Sequence, residues 1–117
     1  MKKALQATKQ TFKSFCQKTP EYLAWHKLFK KEFTKFCKNQ QISEIQFSKP
    51  NHFDLSGFFR TQNGQAWYFR IEDVRWSKES MLLRKAKDFH DFIGGINCFV
   101  FLNNAQTFEC GFQRLIA

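Results

Sequence analysis

The four cysteines of this 117-residue chain, Cys16, Cys37, Cys98 and Cys110, form no C-x-x-C pair. Zinc ribbons and dithiol redox sites need that spacing, so neither is indicated, and the thiols are expected to be reduced and buried as small apolar groups. Long apolar runs are missing too: nothing approaches the roughly 18 residues of a membrane span. The opening MKKALQATKQTFKSF lacks the apolar stretch of a secretory signal, which points to a cytoplasmic protein. His26, His52 and His90 show no metal-ligand spacing, and Gly94-Gly95 lacks the strand-to-helix setting of a phosphate loop. No repeat or low-complexity tract interrupts the chain. For a nucleophilic Cys and His pair the only signal is that both residue types occur.

Acids are scarce in the first third. Residues 1–38 carry ten lysines against Glu21 and Glu32, whereas residues 39–117 carry nine Lys plus Arg against eight acids, so the basic segment holds +8 of the formal +9. The first segment uses only lysine, a mobile point charge; five of the later nine are arginines, which offer a planar fork. What the chain has in abundance is phenylalanine, sixteen of them within a hydrophobic content of 43%. That excludes a disordered tail and predicts an aromatic core. The length fits one domain, with a basic helical segment, 1–40, packed on a sheet-containing core, 41–117.

Leu5, Thr8, Phe12 and Phe15 step by three and four, predicting a helix to about Lys18. Thr19-Pro20-Glu21 reads as a helix start, with a capping Thr, Pro at the first helical position and an acid in the first turn. The helix it opens runs to about Asn39, with an apolar stripe of Tyr22, Trp25 or His26, Phe29, Phe33 and Phe36. Lys27, Lys31, Lys35 and Lys38 line another face, where like charges at i,i+4 repel by a few tenths of a kcal/mol. From Ile42 the period becomes two, giving strands near Ile42–Phe47, Phe53–Arg60 and Gln65–Arg75. From Ser77 two readings compete: a helix on Leu82, Ala86, Phe89 and Ile93 stopped by Gly94-Gly95, or a strand over Met81–Arg84 followed by a loop over Lys87–Gly95. Cys98–Leu102 and Thr107–Phe112 read as a second hairpin around Asn103-Asn104, a register that keeps Cys98 and Cys110 on opposite faces and unpaired. The expected fold is α+β: two N-terminal helices, then an antiparallel sheet of about five strands with one further helix inserted.

Taking Asn63-Gly64 as the central pair of a two-residue hairpin places Gln62 opposite Gln65, Arg60 opposite Trp67 and Asp54 opposite Asp73. Asp54, Phe58, Arg60, Trp67, Phe69, Asp73 and Arg75 then share one face, with Leu55, Phe59, Tyr68, Arg70 and Glu72 on the other. Opposed carboxylates repel, so a cation is expected between them, either Arg75 or a divalent metal.

The order helix, three strands, helix, strand, with an acid opening the second strand and acid-x-base closing the third, resembles the core of the PD-(D/E)xK nuclease superfamily. The resemblance implies a Mg²⁺ held by Asp54 and Asp73, with Arg75 where the family's lysine stands. Arginine stays protonated, so it can stabilise charge but cannot act as the base. A looser likeness covers residues 53–101: EDVRW, then LLRKAKDFHDF leading into IGGIN, resembles small basic proteins of phages and conjugative elements. That setting implies DNA-binding accessory factors or inhibitors of host defence such as anti-CRISPR proteins.

The leading expectation is therefore a non-enzymatic accessory protein that binds nucleic acid or a nucleoprotein complex, without a cofactor. Lys27, Lys31, Lys35 and Lys38 would attract phosphates, Arg84, Lys85 and Lys87 would extend that surface, and Arg60 or Trp67 would stack on bases. The alternatives are an inhibitor of a defence complex such as CRISPR-Cas acting through protein contact, and a divergent or inactive nuclease using Asp54, Asp73 and Arg75 with Mg²⁺.

Overall fold

A helix start written as Thr-Pro-Glu is the clearest local instruction in the chain, and the computed structural model forms it. The structure describes residues 1–14, 19–49, 53–72, 80–91 and 95–117, the side chains of 9–14 excepted. Helix α1 spans Lys2–Ser14 and α2 spans Pro20–Lys38. The Thr19 hydroxyl accepts from the Tyr22 backbone N–H at 3.1 Å, Pro20 occupies the first turn, and Lys35 and Lys38 sit in the last turn, where the helix dipole favours cations. Two bonds fasten α1 to α2: the Trp25 indole donates to Thr8 Oγ1 at 2.6 Å, and Ala4 N–H donates to Glu32 Oε1 at 2.8 Å. The expected end of α1 near Lys18 lies outside the described residues.

Five strands follow: β1 (Ile42–Phe47), β2 (Leu55–Thr61), β3 (Ala66–Ile71), β4 (Ser80–Ala86) and β5 (Cys98–Phe101), with α3 (Ala105–Ile116) after them. Every neighbouring pair is antiparallel and the sheet order is the chain order, β1-β2-β3-β4-β5. Among the described residues the α+β class with three helices and five antiparallel strands agrees with expectation, but no helix is inserted within the sheet there; the third helix follows it.

Both misplaced elements have the same physical cause. A step of four residues returns to the same face in a helix and also in a strand, because four is a multiple of the strand period. Leu82 and Ala86 therefore fit either period. The run Met81-Leu82-Leu83, all three buried, belongs to a strand covered on both faces, as the competing reading held. Conversely, Phe108 and Phe112 are a helical pair: Asn104 caps α3, its side chain accepting from Thr107 N–H at 2.9 Å, so the Asn-Asn turn opens a helix where a hairpin was expected. Cys37, Cys98 and Cys110 are all free, as expected, but Cys110 is exposed on α3 and only Cys37 is buried.

The β2–β3 loop is one residue longer than expected. Gly64 N–H bonds to Thr61 O and Thr61 N–H to Gln65 O, enclosing Gln62-Asn63-Gly64 with Gly64 at φ +91°. This is the three-residue hairpin with a left-handed glycine. The Asn63 carboxamide braces it, accepting from the Thr61 hydroxyl and the Gln65 N–H. Arg60 consequently opposes Ala66, and Phe59 opposes Trp67. One residue of slip exchanges the faces of an entire strand: Phe58 and Arg60 share a face with Tyr68 and Arg70, and Phe59 shares the other with Trp67 and Phe69. Asp73 and Arg75, and with them the expected opposition of Asp54 and Asp73, lie outside the described residues. Asp54 donates its N–H to the Ile71 and Glu72 carbonyls.

All three helices pack on one face of the sheet. The main core joins Leu5, Trp25, Phe29, Phe33 and Phe36, together with Phe108 and Phe112, to Phe59, Phe69, Met81, Leu83 and Val100. At its centre the Phe33 ring lies 5.1 Å from Phe69, 5.7 Å from Phe112, 5.9 Å from Phe29 and 6.3 Å from Phe108. Gly57 allows β1 to approach β2 over this core, since a methyl group there would collide with Gln46 O and stand 2.8 Å from Phe69 Cζ. Gly57→Ala is therefore expected to destabilise the fold by about 1–3 kcal/mol, seen as a lower urea midpoint at unchanged m-value. Gly64→Ala has open space around it, so its expected cost of about 1–2 kcal/mol comes from the backbone alone. Full stability of Gly57→Ala would contradict the close approach.

Candidate functional site

With the helices on one face, the alternation of β2, β3 and β4 sends a second set of side chains to the opposite face. Phe58, Ala66, Tyr68, Leu82 and Ala86 form a separate buried cluster there, covered by Phe89 and by no helix residue among those described. Phe58 lies 5.3 Å from Tyr68 and stacks on Phe89 at 5.7 Å. Three arginines roof these rings. Arg60 sits over Phe89 at 5.1 Å, Arg70 over Phe53 at 4.6 Å and Tyr68 at 5.9 Å, and Arg84 over Tyr68 at 5.4 Å. Cation–π contacts of this kind contribute about 0.5–1 kcal/mol when exposed and more when desolvated.

The three charges are not equally compensated. Arg60 holds Asp88 at 2.6 Å and Glu44 at 3.6 Å, and Arg70 holds Glu72 at 2.7 Å. The Asp88 carboxyl is held below its ordinary range by the Phe89 backbone N–H and then by Arg60. Arg84 has no carboxylate partner among the described residues; its nearest acceptor is Asn97 Oδ1 at 3.4 Å. The Nε groups of Arg70 and Arg84 are buried without a hydrogen-bond acceptor among the described atoms. Alongside, on β5, Phe99 is 58% and Phe101 57% exposed, on the side of the sheet where Leu82 faces Phe99 and Ser80 faces Phe101.

The residues expected to bind nucleic acid divide between two sides of the molecule. Lys27, Lys31, Lys35 and Lys38 are exposed on α2, away from its buried stripe of Trp25, Phe29, Phe33 and Phe36. Arg60 and Arg84 belong to the second sheet face. Lys85 alternates toward the helix side, its ammonium 5.8 Å from the Trp67 ring, and Lys87 is exposed just beyond β4. Trp67 is 4% exposed and parallel to Phe59 at 6.1 Å, so it packs in the core and offers no free face for a base. Arg70, Tyr68, Phe99 and Phe101 complete the second face and were missed as site residues. Tyr68-x-Arg70 and Phe58-x-Arg60 carried the signal for the first two, but the expected hairpin register set these pairs on opposite faces, whereas Phe58 in fact opposes Tyr68.

Of the acids expected under the nuclease resemblance, only Asp54 is described. It is buried, its carboxylate accepts the Tyr22 hydroxyl at 2.9 Å, and no cluster of three or more metal-ligating side chains occurs among the described residues. No helix among them is long and apolar enough to cross a membrane. Burial holds Cys37 well above the usual thiol range, which keeps it protonated and a poor nucleophile. No family model, curated protein or solved structure matches the chain.

His26, beside Asp54, yields a pH prediction. Burial lowers its pKa from 6.5, Lys30's charge lowers it further, and a hydrogen bond to the Asp54 backbone partly opposes both. Below 6.5 the unfolded chain therefore binds a proton that the folded chain resists, so stability falls as pH drops from 6.5 through the folded value. Denaturant titrations at about pH 7 and about pH 5 should show a smaller loss on acidification for His26→Gln than for the unaltered protein. Equal losses would exclude His26 as a source of the acid sensitivity.

Proposed function

We propose that the protein binds nucleic acid through its phosphate backbone. The observation that carries this reading is the exposed lysine stripe of α2. Lys27, Lys31, Lys35 and Lys38 project from one side of a single helix, with no carboxylate in ion-pair reach among the described residues. Closely spaced like charges weaken the helix that carries them. The dipole offsets this only in the last turn, for Lys35 and Lys38. A polyanion lying along the stripe would relieve the repulsion along its length, and releasing its counterions would drive association. Lys is suited to this role because a flexible point charge can follow a backbone without reading sequence. The +9 net charge adds long-range attraction.

The reading concerns binding and requires no catalytic step. Its setting, an accessory protein of a mobile element, stays a proposal drawn from the sequence likeness alone. In a salt series with a nonspecific oligonucleotide, each neutralised phosphate contributes roughly 0.7 to 0.9 to the slope of log affinity against log salt. Replacing Lys27, Lys31 and Lys35 together by Gln is expected to flatten that slope by about two to three units. Circular dichroism should be unchanged, because Gln and Lys have similar helix propensity. An unchanged slope in the folded variant would remove α2 from the binding surface.

A further inference from the structure

Arg84, Phe99 and Phe101 lie on the sheet face opposite the helices and take no part in the α2 surface. We propose that they form a second site, which receives unpaired bases of single-stranded nucleic acid. The proposal rests on the nucleic-acid reading and extends it to a particular strand state.

Three observations converge on this ligand. Phe99 and Phe101 are more than half exposed, on one side of an edge strand. Residues two apart on a strand are separated by about 6.6 Å, roughly twice the 3.4 Å step between bases within one strand of a duplex. Rings at that separation suit bases spread apart from one another. They cannot reach base faces inside a duplex, which are covered by their neighbours, whereas single strands expose them.

The second observation is charge. The guanidiniums of Arg70 and Arg84 both lie within 6 Å of the Tyr68 ring, yet only Arg70 has a carboxylate among the described ion pairs. Their repulsion is incompletely neutralised, and Arg84 presents a fork whose acceptor, Asn97, is 3.4 Å away. A phosphate oxygen would supply the missing acceptor with a charge-assisted bond. An apolar protein partner covering the two phenylalanines would instead bury that guanidinium without compensation, which is costly.

The third is rigidity. Phe58, Tyr68 and Leu82 pack beneath the arginines as a buried layer, and Leu82 stands directly opposite Phe99. The aromatic platform is therefore set by sheet register and does not depend on a loop.

The test uses the full chain carrying Trp76→Phe together with Phe99→Trp, a reporter that keeps a stacking ring, since the other two tryptophans, Trp25 and Trp67, are buried. Titration with single-stranded oligothymidylate or oligouridylate is expected to quench the reporter's emission, and a duplex of equal length is expected to leave it unchanged. The double variant Phe99→Ala/Phe101→Ala should bind the single strands at least about tenfold more weakly, with duplex affinity and circular dichroism unaltered. Arg84→Gln should lower the single-strand salt slope by about 0.7. Anisotropy changes on mixing with either oligonucleotide, unaccompanied by a change in the reporter's emission or an effect of the double variant, would overturn the second site and leave the α2 reading standing. Equal weakening for duplex and single strand would overturn the stacking role. Absence of binding to every oligonucleotide at low salt would overturn both readings together.

Discussion

The Phe33 ring is the point on which the fold turns. It projects from α2 and touches rings from β1, β3 and α3 at centroid distances of 5.1–6.5 Å, including Phe47 at 6.5 Å. Aromatic rings favour tilted and edge-to-face approaches over sandwiches, and most contacts around Phe33 are of these kinds. A cluster of this type needs no polar atom at its centre. Beside it Gly57 leaves room for β1 to close on β2, where a larger side chain would meet Gln46 and Phe69. The lysine stripe is a by-product of the same geometry: once Trp25, Phe29, Phe33 and Phe36 point inward, Lys27, Lys31, Lys35 and Lys38 must point out.

How far the sequence could be read depended on whether a pattern belonged to one period alone. Thr19-Pro20-Glu21 has no strand interpretation, and α2 formed as expected. Ile42, Ile45 and Phe47 keep to one face of β1 only because the register shifts between Ile42 and Glu44, so that strand was legible while its irregularity was not. Leu82 with Ala86, and Phe108 with Phe112, are separated by four residues and satisfy both periods. For Leu82 and Ala86 burial on both sheet faces decided the outcome, which no local pattern shows; for Phe108 and Phe112 it was the Asn104 cap, and an asparagine serves a turn as readily as a helix start. The hairpin was recognised but its loop length was not. Asn-Gly serves both the two-residue turn and the three-residue turn with a left-handed glycine, and only the latter unites Phe58 with Tyr68 and Arg60 with Arg70.

That slip determined what was visible of the site. Lysine clustering on a helix survives small errors of boundary, so the α2 stripe was open to inspection from the start. A site on a sheet face disappears when the register moves by one, because its members scatter to opposite sides. The expected set consequently mixed Arg60 and Arg84, which share a face, with Trp67, which packs beneath the helices. It omitted Phe99 and Phe101, whose exposure follows from β5 being an edge with its alternate residues turned away from α3. The two basic residue types also come to rest differently. Lys27, Lys31, Lys35 and Lys38 are exposed to solvent, while Arg60, Arg70 and Arg84 sit over aromatic rings, as their planar, weakly hydrated groups allow.

The meander order of the sheet bears on how the chain assembles. Each strand pairs with the strand before it, so the ladder grows by successive hairpins whose closure brings together residues close in sequence, an inexpensive step in loop entropy. The core beneath obeys a different schedule. Phe33 comes early in the chain, yet the rings of Phe108 and Phe112 that complete its surroundings arrive only with α3. During synthesis the sheet can be laid down while its apolar underside is still incompletely covered, and α3 acts as the closing latch on an otherwise finished frame.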